Sequence, residues 1–582
     1  MRLPAGAPWL APLLVTLPAL AQSPDGTRDR DRPFPPIASP RTIDGSGNHP
    51  TNESRGAAFE PFARTVSVDY ADGLGDPAGQ DRPSARAISS AVLRQTRSVP
   101  NARGVSDLFW QWGQFLDHDL TETPIGDPSE AFPIAVPSGD RYFDPGGTGA
   151  QVIPLQRSFP VDVNGVREQV NALTAWIDGS QIYGSDVERA QALRTLDGTG
   201  RLRTSAGDLL PFNLEGLHNA PSDHLPRFFL AGDVRANEQI GLTALHTVFV
   251  REHNHWAERI RAEDERWIER SIARSGRDGR RGSGGRGGGR TLTRDDFESG
   301  RVRALSGDEI YELARAIVSA ELQIVTYREW LPLLLGEGAL PPGAEYRPEL
   351  DATMSNEFAT AAFRFGHSML SSQILRIDAK GAEIGGGHIA LAGAFFAPQE
   401  IVEHGIDPVL RGLAAQRAQE LDAMVVDDIR NFLFGPPGAG GFDLASLNLQ
   451  RGRDHGLASF AQTRRDLGLG APLTLAEISS DPDVVARLER IARTPEDLDL
   501  WVGGLAEDDV PGAMVGPTFH AILVRQFTAL RDGDRLWHTR QLPRELRELV
   551  EEQSLAQILR RNSGRRGEAI GAELSDRPFL VR

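Results

Sequence analysis

From Ser106 onward, apolar residues recur at intervals of three and four along most of the chain, the spacing that lays one apolar stripe along an α-helix. The clear stretches are Ser106–Leu120, Gly241–Ile272, Ser306–Leu335, Asn356–Leu370, Leu410–Phe434, Thr518–Asp532 and Arg544–Arg560. Sustained alternation with period two is absent, so the pattern predicts a mostly α protein with few short strands. Residues 41–105 are broken by turn signals such as Asp44-Gly45 and Asp76-Pro77 and read as irregular. The run S-G-R-D-G-R-R-G-S-G-G-R-G-G-G-R, residues 275–290, interrupts the helical pattern. An Arg-Gly tract can bind RNA, but its composition reads better as a disordered insert between two helices of one core. The chain therefore predicts a single large helical domain.

The first residues carry a different pattern. Arg2, an apolar run and Ala19-Leu20-Ala21 form a signal-peptide pattern over 1–21. The run is short for a membrane span and is interrupted by prolines, so no stable membrane insertion is expected, and the protein should be secreted or periplasmic. Residues 22–40, S-P-D-G-T-R-D-R-D-R-P-F-P-P among them, read as a disordered Pro-rich leader. The net charge of −17 argues against nucleic acid as a partner. The absence of cysteine excludes disulfides, zinc–thiolate sites and iron–sulfur clusters.

Chemistry concentrates in W-Q-W-G-Q-F-L-D-H-D-L-T-E, Trp110 to Glu122, where two aspartates flank a histidine in an apolar helix. At about 100° per residue, Gln114 and Asp117 lie about 40° and 100° to one side of His118, and Asp119 about 100° to the other. Gln114, Asp117 and His118 therefore share a broad face, and Asp119 serves something else. In N-A-L-T-A-W-I-D-G-S-Q-I-Y-G-S-D, Thr174, Asp178 and Ser180 place oxygens at alternate positions, and Trp176 can offer its carbonyl. With Asp119 these suit calcium, and a plain turn at Asp178-Gly179 explains the pattern as well. His253 and His255 lack the H-E-x-x-H spacing of a zinc enzyme and read as structural histidines. His367, in F-R-F-G-H-S-M-L, reads alone as a core residue.

Taken together, W-G-Q-F-L-D-H-D-L, N-A-L-T-A-W-I-D-G-S-Q-I-Y-G-S, F-L-A-G-D-V-R-A-N-E-Q, H-T-V-F-V-R-E-H-N, F-R-F-G-H, L-N-L-Q-R-G-R-D-H-G and R-D-G-D-R-L-W resemble, in order, the animal-type haem peroxidase superfamily. The resemblance covers residues 41–576 and implies one helical peroxidase domain holding haem b and Ca2+. It makes His118 the distal proton acceptor, Arg235 the cation that stabilises charge as the peroxide bond breaks, and Gln114 a holder of water or halide. His367 becomes the iron ligand, and Asn448 the acceptor of its outer N–H. Arg364 and Arg451 fall at haem-propionate or neighbouring positions. Asp119, Thr174, Trp176 through its carbonyl, Asp178 and Ser180 become the calcium ligands.

In vertebrate members the carboxylates matching Asp117 and Glu238 form ester links to haem. Some members add a sulfonium link through a methionine after that glutamate; here the position is Gln239, so none is expected. The implied activity is reduction of hydrogen peroxide, through a ferryl state, to oxidise halides, thiocyanate or phenols. A fatty-acid dioxygenase branch needs a tyrosine three residues before the iron ligand, where this chain has Arg364. An adhesive, peroxinectin-like role is the other alternative. The lack of cysteine departs from animal members and points to a bacterial one.

Overall fold

The computed structural model describes residues 32–278, 296, 298–299 and 302–581, apart from 344 and 566. The signal-peptide pattern and residues 279–290 of the insert lie outside them. The described chain is dominated by helices. Its only sheets are two-stranded antiparallel pairs: Ile134–Ala135 with Val152–Ile153, Pro160–Val163 with Val166–Gln169, and Gln373–Ile374 with Ile389–Ala390. Among these residues no helix is long and apolar enough to cross a membrane.

The centre is built from the Asp107–Leu120, Ile240–Asp278 and Gly307–Ile324 helices, the last continuing through a π-turn at Val325–Trp330 into Leu331–Leu335. Asp107–Leu120 is buried on nearly every side because its aromatic residues pack on several neighbours at once. Phe115 stacks on Phe249 at 5.1 Å, and Trp112 meets Phe249 at 5.8 Å. The polar tips of the buried tryptophans are satisfied: Trp112 Nε1 donates to Thr326 Oγ1 at 3.3 Å, and Trp330 Nε1 to the Phe109 carbonyl at 2.9 Å. Leaving either unmet would cost about 1–3 kcal/mol. Close approach also depends on Gly412, where a Cβ would meet the Leu375 backbone carbonyl at 1.8 Å.

Four expectations need correction. Asn356–Leu370 is not one helix. It stops at Thr360, bends at Ala361 (φ −131°, ψ −69°) and resumes as a 3-10 turn over Ala362–Ser368. Leu410–Phe434 contains helices only at Asp407–Ala415 and Asp427–Arg430. Between them the chain bridges other segments, Arg417 to Ser106 and Val425 to Arg94, so its apolar residues are buried without helical geometry. Arg544–Arg560 is two helices, Arg544–Glu551 and Leu555–Arg561, with Ser554 capping the second. The leader is docked over residues 32–40: Arg32 pairs with Asp264 at 2.6 Å, and Phe34 and Ile37 are buried. Its proline-rich composition hid those anchors.

Candidate active site

The residues singled out as haem-side converge on one cavity of about 440 Å³. Gln114, Asp117 and His118 line it from the Asp107–Leu120 helix, and Arg235 and Glu238 from the loop before Ile240. Arg364 and His367 reach it from the 3-10 turn. Asn448 and Arg451 come from the Leu444–Asp454 helix, which the periodicity did not reveal and which Asp443 caps by accepting from Ser446 N at 3.1 Å. Phe363, Phe365, Leu391, Phe395, Leu433 and Leu447 supply apolar wall. Apolar walls with a few placed polar groups are what a flat macrocycle needs.

Burial, with the Arg235 guanidinium nearby, holds the His118 imidazole well below its ordinary pKa, so the ring is neutral and able to take a proton. Arg235 is fixed by Asp233 in a two-pronged pair, Nε to Oδ1 at 3.0 Å and Nη2 to Oδ2 at 2.7 Å. It also donates to the Thr121 carbonyl at 2.9 Å and lies 3.7 Å from Asp117. Asp117 accepts from Thr121 Oγ1 at 2.7 Å, and burial raises its carboxyl above the usual range. Burial likewise pushes Glu238 up to about 7. Gln114 donates to Glu238 Oε1 at 3.3 Å and accepts from Gln111 and Gln239 at 3.1 Å each.

His367 is partly buried at the cavity wall, and its removal from water depresses the ring to about 3 and leaves a neutral imidazole. Asn448 stands beside it as expected, but with the opposite sense: Nδ2 faces His367 Nδ1 at 2.7 Å, while Oδ1 accepts from Arg364 Nη1 at 2.9 Å. An iron-bound Nε2 leaves the ring proton on Nδ1, so accepting it requires the Asn448 amide turned over. Arg364 also donates to the Ala359 carbonyl at 3.0 Å and makes no ion pair among the described residues. Burial lowers it to about 10. Arg451 is already paired with Asp454 at 2.8 Å, so of the two arginines only Arg364 brings the cavity a cation with no carboxylate partner among the described residues.

Asp119 lies outside this cavity, as the helical angles require. Its Oδ1 accepts from Ser180 N at 2.5 Å and Ser180 Oγ at 2.8 Å, and its Oδ2 from Gly179 N at 3.2 Å. Thr174 Oγ1 donates to Asp178 Oδ1 at 3.2 Å. Asp178 Oδ2 is buried without a hydrogen bond, and Arg41 and Arg315 approach it only to 3.8 Å. Burial and the Asp178 charge push Asp119 up to about 8. The turn at Gly179 is present, with φ 82°, but a turn alone leaves two buried carboxylates and an orphan oxygen. That donor set fits a hard divalent cation, with hydroxyl and carbonyl oxygens completing the shell. Trp176 is buried alongside, its indole donating to the Gly45 carbonyl at 3.1 Å.

Residues 40–571 match the animal haem peroxidase family. The chain belongs to that family. It is 32% identical over 546 residues to peroxinectin A of Dictyostelium discoideum, covering 90% of this chain and 94% of that one. Against human eosinophil peroxidase it is 35% identical over 584 residues, covering 90% and 75%. Peroxidase A from Dictyostelium discoideum superposes with a TM-score of 0.80 at 30% identity, covering 93% of this chain and 99% of that one. The Oryza sativa fatty acid α-dioxygenase reaches a TM-score of 0.72 at 20% identity, covering 93% and 87%, a likeness of fold alone. The protein is thus a haem peroxidase, an enzyme that spends hydrogen peroxide on oxidising small donors. The dioxygenase reading is the weaker one.

Sequence reasoning overlooked Asp233, which is fully buried at the site. Its signal was present in G-D-V-R, an acid two residues before Arg235. His253 is structural, as expected: buried, it contacts Tyr183 Oη at 3.0 Å and the Gly200 carbonyl at 2.9 Å.

Proposed function

We propose that the enzyme is exported and oxidises small anionic or phenolic donors, namely halides, thiocyanate or phenols, in the cavity between His118 and His367. The observation that carries the reading is the meeting of a neutral His118, a clamped Arg235 and a neutral His367 at one largely apolar cavity. Bound haem supplies the iron at which peroxide is reduced and holds the oxidising equivalents that donors consume. His367 would hold the iron through Nε2, and Asn448, with its oxygen presented, would fix the ring and make it more basic. His118 takes a proton from the peroxide's inner oxygen and returns it to the departing oxygen, which leaves as water. Arg235 stabilises negative charge as the O–O bond breaks, and Asp233 keeps the guanidinium in place. Gln114 orients water or a halide. Arg364 would meet a haem carboxylate, and Arg451 is the second arginine lining the cavity.

Asp117 and Glu238 are the groups that would esterify haem methyl carbons, each giving up its carboxyl proton and the methyl a second one while hydrogen peroxide takes the two electrons. Each has a hydrogen-bond partner that fixes its carboxyl in the cavity wall. Calcium held by Asp119, Thr174, Trp176, Asp178 and Ser180 anchors the helix that carries His118. The test is peroxide turnover by the haem-loaded enzyme on bromide, thiocyanate and a phenol, measured side by side. Oxidation of at least one is expected. Oxidation of none, with haem bound, overturns the donor assignment.

A further inference from the structure

His118 has two ring nitrogens, and only one can face the peroxide. A proton acceptor at Nε2 requires the imidazole proton to sit on Nδ1, so whatever faces Nδ1 sets the chemistry. The group there is Asp233: its Oδ1 lies 3.3 Å from His118 Nδ1, and both residues are buried. The contact does not yet meet hydrogen-bond geometry, and His118 Nδ1 has no other partner among the described residues. Catalytic hydrogen bonds are often long before substrate binds and tighten afterwards.

The competing neighbour is His246, whose ring centroid is 6.5 Å from that of His118. Neither of its nitrogens makes a hydrogen bond, and burial depresses it to about 4, so it brings no charge. Asp233, by contrast, cannot drift. Its Oδ1 accepts from the Arg235 backbone N–H at 2.7 Å and from Arg235 Nε at 3.0 Å, and its own N–H donates to the Gln181 carbonyl at 3.0 Å.

We propose that Asp233 is the positioning residue of the peroxide side, one carboxylate that clamps Arg235 and also fixes the proton of His118 on Nδ1. The proton leaving the peroxide then goes to Nε2, and the resulting imidazolium shares its Nδ1–H with a carboxylate that is already charged. Asp233 itself takes no proton. The two halves of the peroxide machinery, base and cation, are thereby held in one mutual geometry by a single side chain. The proposal rests on the reading of His118 as the base.

Cyanide provides a readout separate from turnover, because hydrogen cyanide must give up its proton to that base as it binds the iron. The variants are Asp233→Asn, Arg235→Gln, their combination and His118→Ala, each loaded with haem. Asp233→Asn is expected to slow cyanide association by about 10- to 100-fold, the usual cost of losing an outer partner. If Asp233 served only to hold Arg235, adding Asp233→Asn to Arg235→Gln would change nothing further. An additional slowing in the double variant is expected, and its absence overturns the proposal. Slow association in His118→Ala with normal association in Asp233→Asn rejects Asp233 alone. Normal association in His118→Ala rejects the underlying reading. Should Asp233→Asn fail to load haem, a crystal structure of the wild-type holoenzyme decides. It should show His118 Nδ1 aligned on Asp233, and a ring turned away from it sinks the idea.

Discussion

Asn448 stands 2.7 Å from His367 Nδ1, joining the Leu444–Asp454 helix to the 3-10 turn that carries this histidine, the proposed iron ligand. Partners of this kind fix the orientation of a ligating ring, and losing one typically costs 10- to 100-fold in affinity, as an order-of-magnitude figure. Asn448→Ala should therefore release haem about 10- to 100-fold faster, measured by transfer to excess apomyoglobin. Unchanged release would show that the contact is packing only.

Calcium should matter more as pH rises. The Asp119 carboxyl is pushed up to about 8, against an unfolded value of about 3.9. In the cation-free fold, stability is therefore present at low pH and lost as pH climbs through that window, because folding opposes the ionisation. A bound cation reverses this by favouring the charged pair. The increase in Tm on adding calcium to chelator-treated protein should be larger near pH 8 than near pH 6, and Asp178→Asn should abolish it. A calcium effect independent of pH would contradict the assignment.

Asp117 and Glu238 are the two proposed points of haem attachment. After exposure to peroxide, haem stain should stay with the polypeptide on a denaturing gel. Asp117→Ala and Glu238→Ala should each weaken it, and together they should eliminate it. Retention in the double variant would place the link elsewhere.

His253 offers a test of burial away from the chemistry. Its ring is depressed to about 4, whereas an unfolded histidine titrates near 6.5. The unfolded chain binds the extra proton, so this contribution is intact above about pH 6.5 and is lost as pH falls toward 4. His253→Gln should flatten the dependence of unfolding free energy on pH by about 1.4 kcal/mol per pH unit in that window. An unchanged slope would mean that the ring is not neutral in the fold.

What could be read from the sequence followed from local geometry. The helical angles of Asp117, His118 and Asp119 were enough to set Asp119 apart from the face that Asp117 and His118 turn to the cavity, while its pairing with Ser180 came only with the family resemblance. The pairing of His367 with Asn448 came only with the resemblance, and that of His118 with Asp233 was not legible at all, since the packing of two distant segments brings them together. The break at Ala361 was invisible for a related reason: apolar spacing reports burial and cannot tell a 3-10 turn from an α-helix over so short a run. The same ambiguity stretched Leu410–Phe434 into a helix where the chain makes bridges instead. The sense of the Asn448 amide lay beyond pattern altogether, because Arg364 competes for its oxygen.

The most direct test of the central claim is the stopped-flow reaction of haem-loaded protein with hydrogen peroxide, comparing the natural chain with His118→Ala. The natural chain should react in a rapid second-order step. The variant should retain haem and react about 10²- to 10⁴-fold more slowly, the usual worth of a positioned proton acceptor. A variant that reacts as fast as the natural chain, or a natural chain that binds no haem, would contradict it.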